Sequence, residues 1–315
     1  MEQITCDFLF KTELVTKNWI NLLNKNFDIH NIEYQINYDW INIQKTQDFK
    51  NFKFDQIRFT INDQEKILIQ NLTNALPRFS ATISDYDFYK KIETLLELEI
   101  SNEIVFGKVL ESVDNILQNI DTLDSWRRKK RALPREIMII PNPIYTNERE
   151  KEIISIESLA GHYHIMNYDN MLWFGSSWQM YFSTLYYKYI PKPLFDDFKD
   201  CHENIIFENG LRKITLHKNV MDYDLPENRQ RQWSFRQQLG IDSIAHELTR
   251  SSNRIEPLNL PVIITKQNCE KGQTRVTRFL DDDDKLVSSN RAVKKEIKEY
   301  LNDGITIVFE KTETN

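Results

Sequence analysis

The sequence predicts an α+β fold in two halves, each a largely antiparallel sheet packed with helices. Three observations predict it. Between residues 32 and 61 apolar side chains alternate with polar ones, the period of a half-buried strand. Asn209-Gly210 separates two strand-like runs and fits a two-residue type I′ hairpin turn. Apolar residues recur at helical spacing after Ser84, after Asn102 and after Ser289. Length alone, at 315 residues, favours about two domains. They are placed at 1–145 and 146–315.

Taken in order, Ile32, Tyr34, Ile36 and Tyr38, then Phe52 and Phe54, then Ile57, Phe59 and Ile61, predict strands. Asn62-Asp63 turns the chain, and Lys66 to Ile69 returns as the next strand of an antiparallel meander. Ser84 or Asp85 caps a helix running to about Glu99. Val105, Val109, Val113, Leu117 and Ile120 predict a second helix over roughly 102–128. It ends in Arg127-Arg128-Lys129-Lys130-Arg131, which reads as a cationic helix C-terminus and, alternatively, as a nucleic-acid or localisation patch. Glu136 to Ile140 is expected to be a short buried strand, and the charged run 147–152 marks the boundary.

The second half opens with a strand expected over Ser158 to Met166, followed by the aromatic stretch Met171 to Phe182. The uncharged run 170–187 is diluted by Ser, Gln, Asn and Tyr, so it is read as core rather than a membrane span. A short helix is expected over Leu194 to Asp200. The hairpin follows, with Arg212, Ile214 and Leu216 on one face of its second strand and Leu211, Lys213, Thr215 and His217 on the other. Pro226-Glu227 suits a first helical turn. That helix holds Arg229, Arg231 and Arg236 with few apolar groups, so it is expected to be mostly solvated, anchored by Trp233 and Phe235. Gly240 ends it and a shorter amphipathic helix runs through Ile241, Ile244, Ala245 and Leu248. Pro261 to Thr265 and Thr274 to Leu280 predict strands. Ser289 is expected to cap a helix through Ala292, Val293, Ile297, Tyr300 and Leu301, with Gly304 as its stop and a last strand over Ile305 to Phe309.

Composition narrows the function. Net charge is −6, which disfavours nucleic acid as the partner of the whole protein. Seven glycines are few for folds built on phosphate-binding loops. Cys6, Cys201 and Cys269 fit neither a disulfide framework nor a zinc spacing, and suggest a reducing compartment. The N-terminus lacks a signal-peptide pattern, so the expected location is the cytoplasm, with no membrane partner.

No nucleophile elbow, Walker loop or dinucleotide fingerprint is present. His162 and His164 lie two apart, on one side of a strand, and with a carboxylate such as Glu247 would make a metal-dependent hydrolase or nuclease site. Ordinary core-edge histidines explain the same pair. Cys201-His202 are sequence neighbours and cannot readily serve each other as nucleophile and base. Asp281-Asp282-Asp283-Asp284 cannot be buried unpaired, so they are expected in a solvated loop that can also dock a basic partner.

The stretches WFGSSWQMYFSTLYYKYIPK, ENIIFENGLRKITLHKN and YDLPENRQRQWSFRQQLGID, with the tail GQTRVTRFLDDDD and SSNRAVKKEIKEYL, resemble in texture the immunity proteins of bacterial polymorphic-toxin and type VI secretion effector systems. The resemblance covers about Ser158 to Phe309. It implies an acidic, cytoplasmic α+β protein that binds and occludes a toxin without catalysis and without a cofactor. The surface expected to meet that partner comprises Asp281 to Asp284 with Asp222, Asp224, Arg229 and Trp233.

Overall fold

Alternation builds the first layer. Ile4, Cys6, Phe8 and Phe10 project from one face of β1 (Ile4–Phe10) and are all buried. The computed structural model describes residues 3–11, 16–36, 39–42, 55–62, 65–71, 76–134, 137–142, 151–165, 172–249, 259–267 and 269–314. After β1 the chain forms α1 (Thr16–Asn26), β2 (Asn31–Ile36), β3 (Asp39–Asn42), β4 (Gln56–Thr60), β5 (Lys66–Gln70), β6 (Arg78–Ile83) and α2 (Tyr86–Glu99). β7 (Ile104–Glu111), α3 (Ser112–Leu117), α4 (Leu123–Arg128), β8 (Ile139–Pro141), β9 (Glu152–Ile154), β10 (Tyr163–Ile165), β11 (Trp173–Gly175) and β12 (Gln179–Phe182) follow. The remainder is α5 (Lys192–Asp197), β13 (Glu203–Ile206), β14 (Arg212–Thr215), α6 (Pro226–Gln238), α7 (Ile241–Thr249), β15 (Val262–Thr265), β16 (Thr274–Leu280), β17 (Lys294–Tyr300) and β18 (Ile307–Thr314).

The fold is α+β. Ten strands make one antiparallel sheet in the order β13-β14-β12-β7-β1-β6-β5-β4-β2-β3, and β15 to β18 make a second as a simple meander. The large sheet crosses the boundary expected after residue 145, because β12 pairs with β7. The first half therefore does not own its sheet.

One face of that sheet carries Cys6, Phe8, Phe59, Ile69 and Phe79, packed with Leu23 of α1 and Tyr89, Ile92 and Leu96 of α2. On the other face Phe106, Met180, Phe182 and Ile214 meet Phe235 of α6, Ile241 and Ile244 of α7, and Val262 and Ile264 of β15. β7 is buried along its whole length, on both faces. A strand in that position needs no polar side and loses its period of two. Its valines then fall by chance at helical spacing, which is why residues 102–128 read as one helix. The structure replaces that helix with β7, α3 and α4.

The helix expected from Ser289 is likewise a strand, β17, entered through a 3₁₀ turn at Ser289–Arg291. Lys and Glu favour helices weakly, but here they pair across strands: Arg278 with Glu296 at 3.3 Å, and Lys298 with Glu310 at 3.0 Å. α1 was not foreseen. The buried strand expected over Glu136 to Ile140 is the short β8, whose three residues are exposed. In place of one strand from Ser158 to Met166 there is a 3₁₀ turn at Ile156–Ser158 and then β10. Phe52, Phe54, Asp63 and most of the charged run 147–152 lie outside the described residues.

The hairpin is real, with a different turn. Phe207 and Leu211 close a three-residue loop, Gly210 N–H donates to Phe207 O at 2.9 Å, and Gly210 sits at φ +81°. Asn209 keeps a negative φ, so the loop is a type I turn followed by a glycine bulge rather than type I′. Its side chain is occupied elsewhere, accepting from Leu211 N–H at 3.0 Å and donating to Ser101 at 2.9 Å. The caps follow the sequence closely. Asp85 accepts from Asp87 N–H at 2.9 Å at the start of α2, and Pro226 opens α6.

Candidate functional site

The four aspartates form a built turn. Asp281 N–H donates to Lys285 O at 3.0 Å, and Leu280 bridges to Leu286. The Asp281 carboxylate accepts the N–H groups of Asp283 at 3.0 Å and Lys285 at 2.9 Å. These bonds fix the loop as one tight reversal between β16 and the 3₁₀ turn, with no helix after it. Asp282, Asp283 and Asp284 are exposed at its tip. Lys285 meets Asp283 at 3.1 Å and Lys294 meets Asp284 at 2.8 Å, so two cations offset part of the four negative charges. Asp284 holds φ +60°, a left-handed position that aspartate tolerates better than most side chains.

The other expected partner residues lie around α6 and behave differently. Asp222 is half-buried in a 3₁₀ turn before the helix, and its carbonyl accepts from Asn228 at 2.7 Å. Asp224 is exposed. Among the described residues no hydrogen bond or ion pair joins this group to the acidic turn.

Arg229 corrects the expectation outright. It is 8 % exposed, and its two terminal nitrogens grip both oxygens of Asp114 on α3, one at 3.1 Å. Asp114 is itself 3 % exposed. The pair joins the first half to the second and leaves Arg229 no face toward a partner. Trp233 is half-buried, with the Arg236 guanidinium 4.6 Å from its ring centre. The helix expected to be mostly solvated thus buries Asn228, Arg229, Gln232, Phe235 and Arg236.

Arg236 reaches furthest inward. Its guanidinium bonds the carbonyls of Leu159 and Ala160 and the carboxylate of Asp242 on α7. Asp242 also meets His164 Nε2 at 3.0 Å. Burial works to raise the Asp242 pKa, but the charge of Arg236 and the bond from His164 drive it well below the usual carboxylate range. His162 and His164 stand with ring centres 4.8 Å apart. Burial, then the charges of His164 and Arg236, push the His162 pKa down to about 3.

The carboxylate beside the pair is Asp242, committed to Arg236. Glu247 instead accepts the N–H of Lys266 at 2.9 Å. Among the described residues no group of three His, Cys, Asp or Glu side chains is placed to hold a metal ion. Cys201 is half-buried and its thiol pKa is raised, chiefly by burial, which disfavours the thiolate.

A dense polar cluster has no counterpart in the sequence reading. Lys213 on β14 lies 2.9 Å from Glu93 and 2.8 Å from Glu97, both on α2, with Gln179 donating to Glu93 at 2.9 Å. Burial opposes the Glu93 charge, yet the bonds from Lys90 and Lys213 hold its pKa at about 2. Glu93 and Glu97 stand four apart on one helix face, a visible signal. Their partner on a strand more than a hundred residues later was not visible. No family model, no curated protein and no solved structure matches the chain.

Proposed function

We propose that this chain is a cytoplasmic immunity protein that binds a cognate antibacterial toxin and neutralises it by stoichiometric occlusion, without catalysis. The observation that carries the proposal is the preformed acidic turn. Its backbone is already fixed by the Asp281 carboxylate, so docking a basic surface requires little further ordering. Three exposed carboxylates at its tip raise the encounter rate with a basic partner and select against acidic ones. The groups that resemble catalytic clusters, namely Arg236 with Asp242 and His164, and Glu93 with Lys213, are engaged with one another inside the fold. The proposed contact surface is therefore Asp282 to Asp284, with exposed Asp224 as a second patch and Arg229 removed from it.

The test is to express the product of the neighbouring reading frame alone and together with this chain. Toxicity relieved only by co-expression, with the two proteins co-purifying, is the expected result. A harmless neighbour, or rescue without binding, sinks the proposal. Reversing Asp282 and Asp283 to lysine leaves Asp281 to hold the turn, and should slow association about tenfold or more at low salt. Unchanged association kinetics would move the interface elsewhere.

A further inference from the structure

The basic run at the end of α4 and the ribbon that follows it in sequence both turn side chains to solvent. α4 ends in a Schellman motif: Lys130 N–H donates to Arg127 O at 3.0 Å and Arg131 N–H to Trp126 O at 3.2 Å. The residue at the left-handed position is Lys130, at φ 53°, where glycine is the unstrained choice. Arg127, Arg128, Lys129 and Lys130 are all exposed, whereas Arg131 folds back over the Tyr223 ring at 5.5 Å. Asp124 faces Arg128 at 3.4 Å. Among the described residues no acid pairs with Arg127, Lys129 or Lys130.

The β8–β9 ribbon is anchored to the same helix. Ile154 packs with Trp126 in a small satellite core, and its N–H donates to Asp121 O at 2.7 Å. Its first strand and the residue before it turn apolar groups to water: Met138 is 58 % exposed, Ile139 47 % and Ile140 39 %, and Leu133, earlier in the chain, is 41 % exposed. A two-stranded ribbon normally hides one face. Here β8 is exposed on both.

We infer that this ribbon and the cationic loop beside it dock the protein on an anionic lipid surface, the aliphatic side chains entering the headgroup boundary and the cations meeting lipid phosphates and carboxylates. Cations beside exposed aliphatic side chains are the combination that surface selects. A single-stranded nucleic acid would be gripped by exposed rings for stacking, and a duplex would offer the exposed aliphatic side chains no apolar surface to enter. Trp126 and Tyr223 are 3 % and 8 % exposed, and Trp233, which lines a small cavity with Pro134 and Ile137, is half-buried. The sequence led to the expectation of no membrane partner because it offers no span. Among the described residues no helix is long and apolar enough to cross a membrane, and surface docking needs none. The inference uses no residue of the acidic turn, so it stands or falls independently of the toxin reading.

The experiment is co-sedimentation of the full chain with vesicles of phosphatidylcholine, with and without phosphatidylserine, at low and high salt. Binding is expected only to the anionic vesicles, with release at high salt. Each of Arg127→Ala, Lys129→Ala and Lys130→Ala should weaken it about fivefold, and Met138→Ser with Ile139→Ser should abolish it. Lys130→Gly separates function from folding, since it should raise Tm while weakening vesicle binding as Lys130→Ala does. Equal binding to both vesicle types, variants that bind like the parent, or displacement from anionic vesicles by an RNA oligonucleotide at low concentration would each overturn the inference.

Discussion

Truncating Arg229 to alanine tests whether α6 is a seam or an interface. The side chain holds Asp114 through both carboxylate oxygens and Gln232 Oε1 at 2.9 Å, and both charged groups are buried. Alanine would leave the Asp114 carboxylate buried beside Tyr223 without a counter-charge, and breaking such a pair costs about 3–5 kcal/mol. Unfolding entropy of about 2.1 cal/mol/K per residue, over the 315 residues present, makes roughly 0.66 kcal/mol/K. For a cooperative transition the variant should therefore melt about 5–8 °C lower. Asp114→Leu with Arg229→Met removes both charges at similar volume and should melt at or above the parent. A double-mutant cycle in urea should return a coupling above about 2 kcal/mol. The reasoning is refuted if Arg229→Ala melts within about 1 °C of the parent while losing affinity for a partner. That pattern belongs to an exposed contact residue.

Two further outcomes follow from the same geometry. His162 has a folded pKa of about 3, below its ordinary value of 6.5, so its stabilising contribution is complete above 6.5 and is lost as pH falls toward 3. Between pH 7 and pH 5 that amounts to about 2 kcal/mol, so in urea titrations His162→Phe should shrink the difference between these two pH values by that amount. An unchanged difference would mean that the histidine is not held neutral. Gly304 sits at φ +64°, and an added Cβ would lie 1.9 Å from the Tyr187 carbonyl oxygen. Gly304→Ala should cost more than about 3 kcal/mol, whereas Gly210→Ala, whose added Cβ meets the Thr184 methyl at 2.8 Å, should cost about 1–2 kcal/mol. Equal losses in thermal melts would contradict the close approach at Gly304.

The features legible in the sequence are those carried by local chemistry. Asp85 before α2, Pro226 at the start of α6, Gly240 between α6 and α7, and Gly210 in the hairpin act within a few residues of themselves. The acidic turn belongs here too, because four adjacent carboxylates have nowhere to go but water. Its internal bonding, which makes it a fixed shape, was not legible.

The sequence by itself determined an α+β chain with an antiparallel meander, a hairpin and an exposed acidic loop. Tertiary structure alone decided that β7 is a strand, because burial on both faces erases the alternation that marks one. It also decided that β17 is a strand, because its lysines and glutamates find partners on β16 and β18. The arginines of α6 were read as surface because arginine usually is. The burial of Arg229 rests on Asp114, which lies 115 positions earlier, and that of Arg236 on Asp242 beyond a helix break. Arg231 stays part-exposed beside Asp200. A charge can enter a core only when its counter-charge is already placed there, and that placement is a property of the fold rather than of any local stretch.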